Sequence, residues 1–308
     1  MRADQMLADV VLANDLVRTQ FPQWADLAIS QENSTGTDNA IFRLGDDLLV
    51  KFPLRASAIG QITKDFYWLP RLAPHVTLEI PVPIAKGEPC SSYPWHWGVY
   101  RWIEGEVATT ARPISSHGFA EDLARFIVGL REIPFDGTTI PIDNMMRGEP
   151  LLRRDSVTRK SIAALHDELD ASAAIRLWEN CLCTPIWHQP PEWVHGDLLP
   201  GNLLLRNGYL CAVIDFDSAR VGDPAVDLMP AWTNFFTDER STFRNATKVD
   251  DATWARGRGW ALSWAVVALA YYRSTNSGLS VVARHALRET LSDCEWRGQE
   301  KLTRTIYS

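Results

Sequence analysis

The sequence predicts an α+β chain in two lobes, a small strand-rich lobe over residues 1–103 and a larger, mainly helical lobe over residues 104–308. Three observations predict it. Up to residue 103, short apolar runs bounded by turn residues surround one inner segment of helical period. From residue 104 onward, apolar residues recur mostly at helical spacing. Between residues 192 and 214 that pattern gives way to strand, polar loop, strand, hairpin and strand, ending on an acid.

In chain order, Met1 to Gln20 reads as an amphipathic helix mixing acids and bases, which is not the pattern of a secretory leader. Leu27-Ala28-Ile29 and Ala40 to Leu44 are strand-like and flank the small polar run Ser34-Thr35-Gly36-Thr37-Asp38-Asn39. Such a run is either a plain hairpin or a loop that turns backbone N–H groups toward phosphate. It has neither three glycines nor Gly-Lys-Ser/Thr, so it is not a Walker A loop. Leu48 to Pro53 is a strand whose lone cation, Lys51, sits among apolar residues. A buried ammonium requires a partner, whereas a lysine on an edge strand points to solvent. Ile59, Ile62, Phe66 and Leu69 recur at helical spacing within residues 56–72, and Asp65 is the one acid on that helix. Pro81 to Ile84 and Trp97 to Glu106 supply two more strands and a hinge. Further helices are expected near residues 116–131, 155–168, 170–182, 224–236, 251–273 and 279–292.

The chemistry concentrates in His195-Gly196-Asp197-Leu198-Leu199-Pro200-Gly201-Asn202 and, after a short apolar run, Ile214-Asp215-Phe216-Asp217. Gly201-Asn202 alone would be a turn. The flanks change that: Glu192 to Val194 and Leu203 to Leu205 read as short buried strands, Asn207-Gly208 is a hairpin signal, and Leu210 to Ile214 returns. This arrangement would bring Asp197, Asn202 and Asp215 together. An aspartate five residues before an asparagine, with a second aspartate ending the next strand, is the spacing of a phosphoryl-transfer site. Such transfer asks for orientation of the acceptor hydroxyl and neutralisation of charge more than for covalent help. Asn202 and Asp215 are hard oxygen ligands suited to Mg2+, which leaves Asp197 to face the hydroxyl. A metal-dependent hydrolase is the rival, since His195 joins these residues as a possible ligand, but two-metal sites require more converging ligands.

With His-Gly-Asp in place of His-Arg-Asp, the chain resembles the aminoglycoside phosphotransferase family of protein-kinase-like small-molecule phosphotransferases. The resemblance covers the reduced loop, the strand lysine, Tyr93-Pro94-Trp95, the His-Gly-Asp loop, Ile-Asp-Phe and Gly222-Asp223-Pro224-Ala225-Val226-Asp227-Leu228. It implies a two-lobed protein-kinase-like fold whose first lobe covers ATP or GTP, with Mg2+ as cofactor. It further implies that Asp197 is catalytic, that Asn202 and Asp215 hold the metal, and that Thr35, Gly36, Thr37 and Lys51 contact phosphates. Asp65 stands where the family has a glutamate paired to the lysine, and backbone groups of Arg101 and Ile103 would meet the adenine edge. Asp227 would accept hydrogen bonds from the catalytic-loop backbone, while Asp223 reads as a helix N-cap before Pro224. Asp217, in place of the glycine of Asp-Phe-Gly, is a turn residue or an extra acid near the metal. The implied acceptor is a small-molecule hydroxyl, most simply an aminoglycoside-type antibiotic, which would make this a resistance enzyme. Choline, homoserine and sugar kinases share the core, and a catalytically silent nucleotide-binding protein of the same fold is the reading from another class.

Composition fits that picture. A formal net charge of -7 and a pI near 5.5 argue against nucleic acid or an acidic membrane as the main partner. Five scattered cysteines, Cys90, Cys181, Cys183, Cys211 and Cys294, suggest reduced thiols and a cytoplasmic setting. Trp260 to Tyr272 is apolar but too short to span a bilayer. Thirteen tryptophans without a repeat period serve packing first. Oligomeric state has no signature in the sequence.

Overall fold

The computed structural model describes residues 6–32, 38–108, 117–135, 137 and 147–293. It divides into two compact units, one of Met1–Val107, Phe135–Met145 and Gly201–Ser218, the other of Ala108–Pro134, Met146–Pro200 and Ala219–Ser308.

Alternation of apolar and polar residues builds the first unit. Its main sheet consists of β1 (Ile29–Gln31), β2 (Asn39–Leu44), β3 (Leu48–Pro53), β4 (Pro83–Gly87) and β5 (Trp97–Arg101), in the order β1-β2-β3-β5-β4 with every pairing antiparallel. Phe42, Leu44, Val50, Phe52, Trp97 and Val99 point to one core, where Phe52 stacks on Trp97 with ring centroids 5.0 Å apart. Helix α1 (Val10–Gln20) adds Ala13, Leu16 and Val17 to that core and starts where Asp9 caps Leu12 N–H at 2.9 Å. The inner helix begins with a 3-10 turn at Ala56–Ala58 and continues as α2 (Ile59–Leu72). A second, three-stranded sheet joins β6 (Glu106–Val107), β8 (Leu203–Arg206) and β9 (Tyr209–Val213). Its hairpin closes on Asn207 and Gly208, with φ of 55° and 83°, the left-handed pair that an Asn-Gly turn supplies.

The second unit is helical. It comprises α3 (His117–Arg131), α4 (Asp155–Ala164), α5 (Ala171–Leu182), α6 (Pro230–Thr233), α7 (Thr237–Thr247), α8 (Asp251–Tyr272) and α9 (Ser277–Ser292), plus the strand pair β7 (Glu192–Val194) and β10 (Arg220–Gly222). Helix α8 is its axis, buried on most faces and packed by α4, α5 and α9. Close approach there depends on glycine: a Cβ at Gly257 would stand 2.6 Å from Leu228 Cβ. The single helix expected over residues 224–236 is instead a 3-10 helix, Pro224–Leu228, followed by α6, which starts at Pro230, a residue with no N–H to continue a ladder. Helix α7 had no counterpart in the sequence reading. Its sequence is polar apart from Phe243 and Ala246, and only Arg240, Phe243 and Thr247 are buried.

Candidate active site

In the first unit the chemistry gathers around Lys51. Its strand β3 lies between β2 and β5, so it is not an edge strand. The ammonium bonds Asp217 at 2.6 Å and Asp65 at 3.4 Å. Asp65 comes from α2 and also accepts the Tyr100 hydroxyl at 2.8 Å, while Asp217 lies in the 3-10 turn Phe216–Ser218 that follows β9. Asp217 takes a second side-chain bond from the Asn39 amide at 3.0 Å, and its carbonyl accepts from Gln61 at 2.9 Å and Lys64 at 2.8 Å. Gln61, Lys64 and Asp65 stand at i, i+3 and i+4, which is one face of α2.

These contacts set the ionisation of the cluster. Burial opposes the charge on Lys51, but Asp217, Asp65 and Asp215 outweigh it and hold the ammonium above the ordinary lysine range. Burial likewise works against Asp217, yet Lys51 and Asn39 keep its carboxyl below the usual value. Asp65 goes the other way: burial raises it, and Lys51 offsets this only partly. Asp217 is therefore the firmly ionised partner of the lysine and Asp65 the secondary one. The expectation of a turn at Asp217 holds for its backbone, but its side chain is the principal counter-ion.

Asn202 and Asp215 are brought close by strand pairing. Leu203 pairs with Val213, and Ile214 N–H donates to Asn202 O at 2.9 Å, one residue before Asp215. Asp215 has φ of 65°, a left-handed conformation unusual for a residue with a Cβ. An amide oxygen and a carboxylate presented from adjacent strand ends fit Mg2+, a hard ion that takes one or two protein oxygens beside waters and phosphates. Among the described residues no three His, Cys, Asp or Glu side chains converge as a metal cage, the arrangement a two-metal hydrolase would require.

Arg101 ends β5, and its N–H donates to Val82 O at 2.9 Å. Ile103 follows two residues later, after Trp102 N–H has bonded Asp47 O at 2.7 Å. Thr35, Gly36 and Thr37 lie outside the described residues.

In the second unit Asp227 organises the loop that carries Asp197. Its carboxylate accepts the N–H groups of His195 and Gly196, each at 2.7 Å. His195 is fully buried, and its Nδ1 accepts the Asp197 N–H at 3.2 Å, an orienting role within the loop. Burial pushes the Asp227 carboxyl up to about 7, against the pull of those two amides. Asp223 caps the 3-10 helix by accepting from Ala225 N–H at 3.0 Å, and it also forms a buried ion pair with Arg256 at 2.7 Å. Asp197 itself is held by Arg147, whose Nη2 donates to its Oδ1 at 2.9 Å. Sequence reasoning missed Arg147, Arg256 and the charge role of Asp217. Only the Gln61, Lys64 and Asp65 spacing carried a signal, as one polar face on an otherwise apolar helix.

The fold is that of small-molecule phosphotransferases of the kinase-like type. A solved GDP complex of wild-type aminoglycoside 2'-phosphotransferase-IIIa superposes with a TM-score of 0.69 at 19% identity, covering 92% of this chain and 99% of that one. The apoenzyme of macrolide 2'-phosphotransferase MphH from Brachybacterium faecium superposes with a TM-score of 0.60 at 21% identity, covering 89% of this chain and 98% of that one. In sequence, uncharacterized protein YcbJ of Bacillus subtilis (strain 168) is 24% identical over 253 residues, 75% of this chain and 77% of that protein. The model of the phosphotransferase enzyme family, APH, matches residues 30–260, and the chain belongs to that family.

Proposed function

We propose that this protein transfers the γ-phosphate of ATP or GTP to a hydroxyl of a small molecule. The observation that supports this most is Asp227, whose carboxylate ties down His195 and Gly196 N–H and so fixes the loop that presents Asp197. Asp197 orients the acceptor hydroxyl and accepts its proton late in transfer, as its low intrinsic basicity suits. Lys51 meets the α- and β-phosphates while Asp217 and Asp65 keep it charged and aimed. Backbone groups of Arg101 and Ile103 take the adenine edge, and Thr35, Gly36 and Thr37 cover the phosphates. Asn202 and Asp215 hold Mg2+, which when bound neutralises phosphate charge. The aminoglycoside-type acceptor implied by the sequence is the first to assay, followed by macrolides, choline, homoserine and sugars.

The test is Mg2+-dependent release of ADP from ATP and of GDP from GTP across that acceptor panel. Asp197→Ala should lower acceptor-stimulated turnover by at least about 100-fold and leave nucleotide binding intact. An unchanged rate removes Asp197 from this role. Nucleotide binding with no stimulated turnover by any acceptor would favour a silent nucleotide-binding protein.

A further inference from the structure

The side chain that holds Asp197 belongs to a locus rich in buried donors. Arg147 is 6% exposed, and its Nε is buried with no hydrogen-bond partner. Among the described residues its one other hydrogen-bond contact is a long one to Met229 sulfur at 4.0 Å. Further along the chain, at the end of the 3-10 helix Leu151–Arg154, Arg154 donates to Ser263 Oγ at 2.7 Å and lies over the Trp260 ring at 5.2 Å. Trp260 is fully buried, and its Nε1 also has no partner. Buried polar groups are nearly always satisfied, so orphaned donors call for an account.

Charge makes the same point. Among the described residues Arg154 has no carboxylate partner. The neighbouring acids are committed elsewhere: Asp155 accepts from Trp178 and Arg159, each at 2.7 Å, and Glu149 pairs with Arg220 at 3.6 Å. Burial, with the nearby charge of Arg147 adding to it, pulls Arg154 down to about 10. The charge of Arg147 thus falls on Asp197 and Asp227, and the guanidinium of Arg154 is the one left without a carboxylate among the described residues. A polycationic acceptor would add like charge to this locus, whereas an anion would supply the missing counter-charge and acceptor oxygens. Arginine is suited to that task, since its planar fork matches carboxylate and phosphate. An acceptor bearing its own negative charge would also be repelled by Asp197 and by the transferring phosphate unless cations offset it.

We propose that the acceptor carries an anionic group, a carboxylate or a phosphate, beside the hydroxyl that Asp197 faces, and that Arg147 and Arg154 bind it. This rests on the phosphotransferase reading. Arg147 then bridges Asp197 and the acceptor anion, and Arg154 sets specificity for it.

The experiment compares glucuronate, its methyl ester, glycerol phosphate and a polycationic aminoglycoside as stimulants of Mg2+-dependent ADP and GDP release. Each is also tested for raising the melting temperature of the full chain. The expected result is stimulation by an anionic compound, with the carboxylate or phosphate arm naming the source and the ester worse than the acid by at least about tenfold in kcat/KM. Arg154→Gln should raise KM for the anionic acceptor by about tenfold or more and leave KM for nucleotide unchanged. Arg154→Lys should recover part of the loss, and Arg153→Gln, at an exposed neighbour, should cost nothing. Equal use of acid and ester, or the aminoglycoside as the best stimulant, overturns the anion proposal while leaving phosphotransfer standing. Absence of turnover with every acceptor, together with an anion-dependent rise in melting that Arg154→Gln abolishes, keeps the anion site and sinks the phosphotransferase reading. Absence of both overturns the anion site.

Discussion

The two units balance charge in opposite ways. Around Lys51 two cations, Lys51 and Lys64, act on two acids, Asp217 and Asp65, and Asn39 and Gln61 add hydrogen bonds to Asp217. Around Asp197 the charge of Arg147 falls on Asp197 and Asp227, with Arg154 nearby as a second cation. In the first cluster each charge faces an opposite one within the protein. The second leaves Arg154 without a carboxylate among the described residues and suits a ligand that brings negative charge. The contrast teaches that one cluster meets its charges internally while the other leaves one open.

The comparison can be broken most severely at Lys51. Lys51→Met leaves two buried acids without their ion-pair partner, and denaturant unfolding should show a loss of about 3–5 kcal/mol. A loss within error would mean that water already screens the cluster. In the second unit, Asp197→Ala should cost at least about 100-fold in turnover, equivalent to about 2.7 kcal/mol of barrier, and should lower melting as well, because the buried Arg147 loses its carboxylate. Asp197→Asn, which keeps an acceptor oxygen for Arg147, should lose turnover with the smaller change in melting. Asp227→Asn replaces one acceptor oxygen by a donor facing a backbone N–H, so about 1–3 kcal/mol of stability should be lost along with activity. Full activity in that variant would detach Asp227 from the catalytic loop.

A finer test ranks the two acids at Lys51. Asp217→Asn should destabilise by about 1 kcal/mol more than Asp65→Asn, because Asp217 is closer and is held ionised, whereas Asp65 keeps its Tyr100 bond as an amide. The reverse order in urea midpoints would make Asp65 the principal partner. A last test is on pH. The Asp227 carboxyl rises on folding from 3.8 to about 7, so the folded state binds the proton more tightly than the unfolded state. Its contribution to stability is therefore complete below about pH 4 and declines as pH rises to about 7. Melting profiles of wild type should lose ground to Asp227→Asn across that interval, and parallel profiles would show that the two amides prevail over burial.

Local spacing made half of this site legible. His195 to Asn202 and Ile214 to Phe216 are contiguous runs, and the hairpin at Asn207-Gly208 is written into two residues. The pairing of Lys51 with Asp65 is implied by the family resemblance, while simple periods give only the strand and the helix that carry them. Asp217 lies 166 residues from Lys51, and its choice of partner follows from how β9 and its turn meet α2 and β3. Arg147 lies 50 residues from Asp197 in a run with no period at all. Helix α7 escaped because its surface is nearly all polar, so little in it repeats at helical spacing. Residues 224–236 were expected as one helix because apolar periodicity ignores the missing N–H of Pro230.

Asp215 has one more consequence. Its left-handed backbone is a conformation that asparagine accepts at least as readily as aspartate. Asp215→Asn therefore keeps the turn and removes the charge, and on the proposed reading of Asp215 as a holder of Mg2+ the folded variant should bind acceptor and turn it over far more slowly. Such a quiescent variant is a reagent: incubated with nucleotide and a metabolite extract, then washed and read by mass spectrometry, it retains the unreacted acceptor for identification.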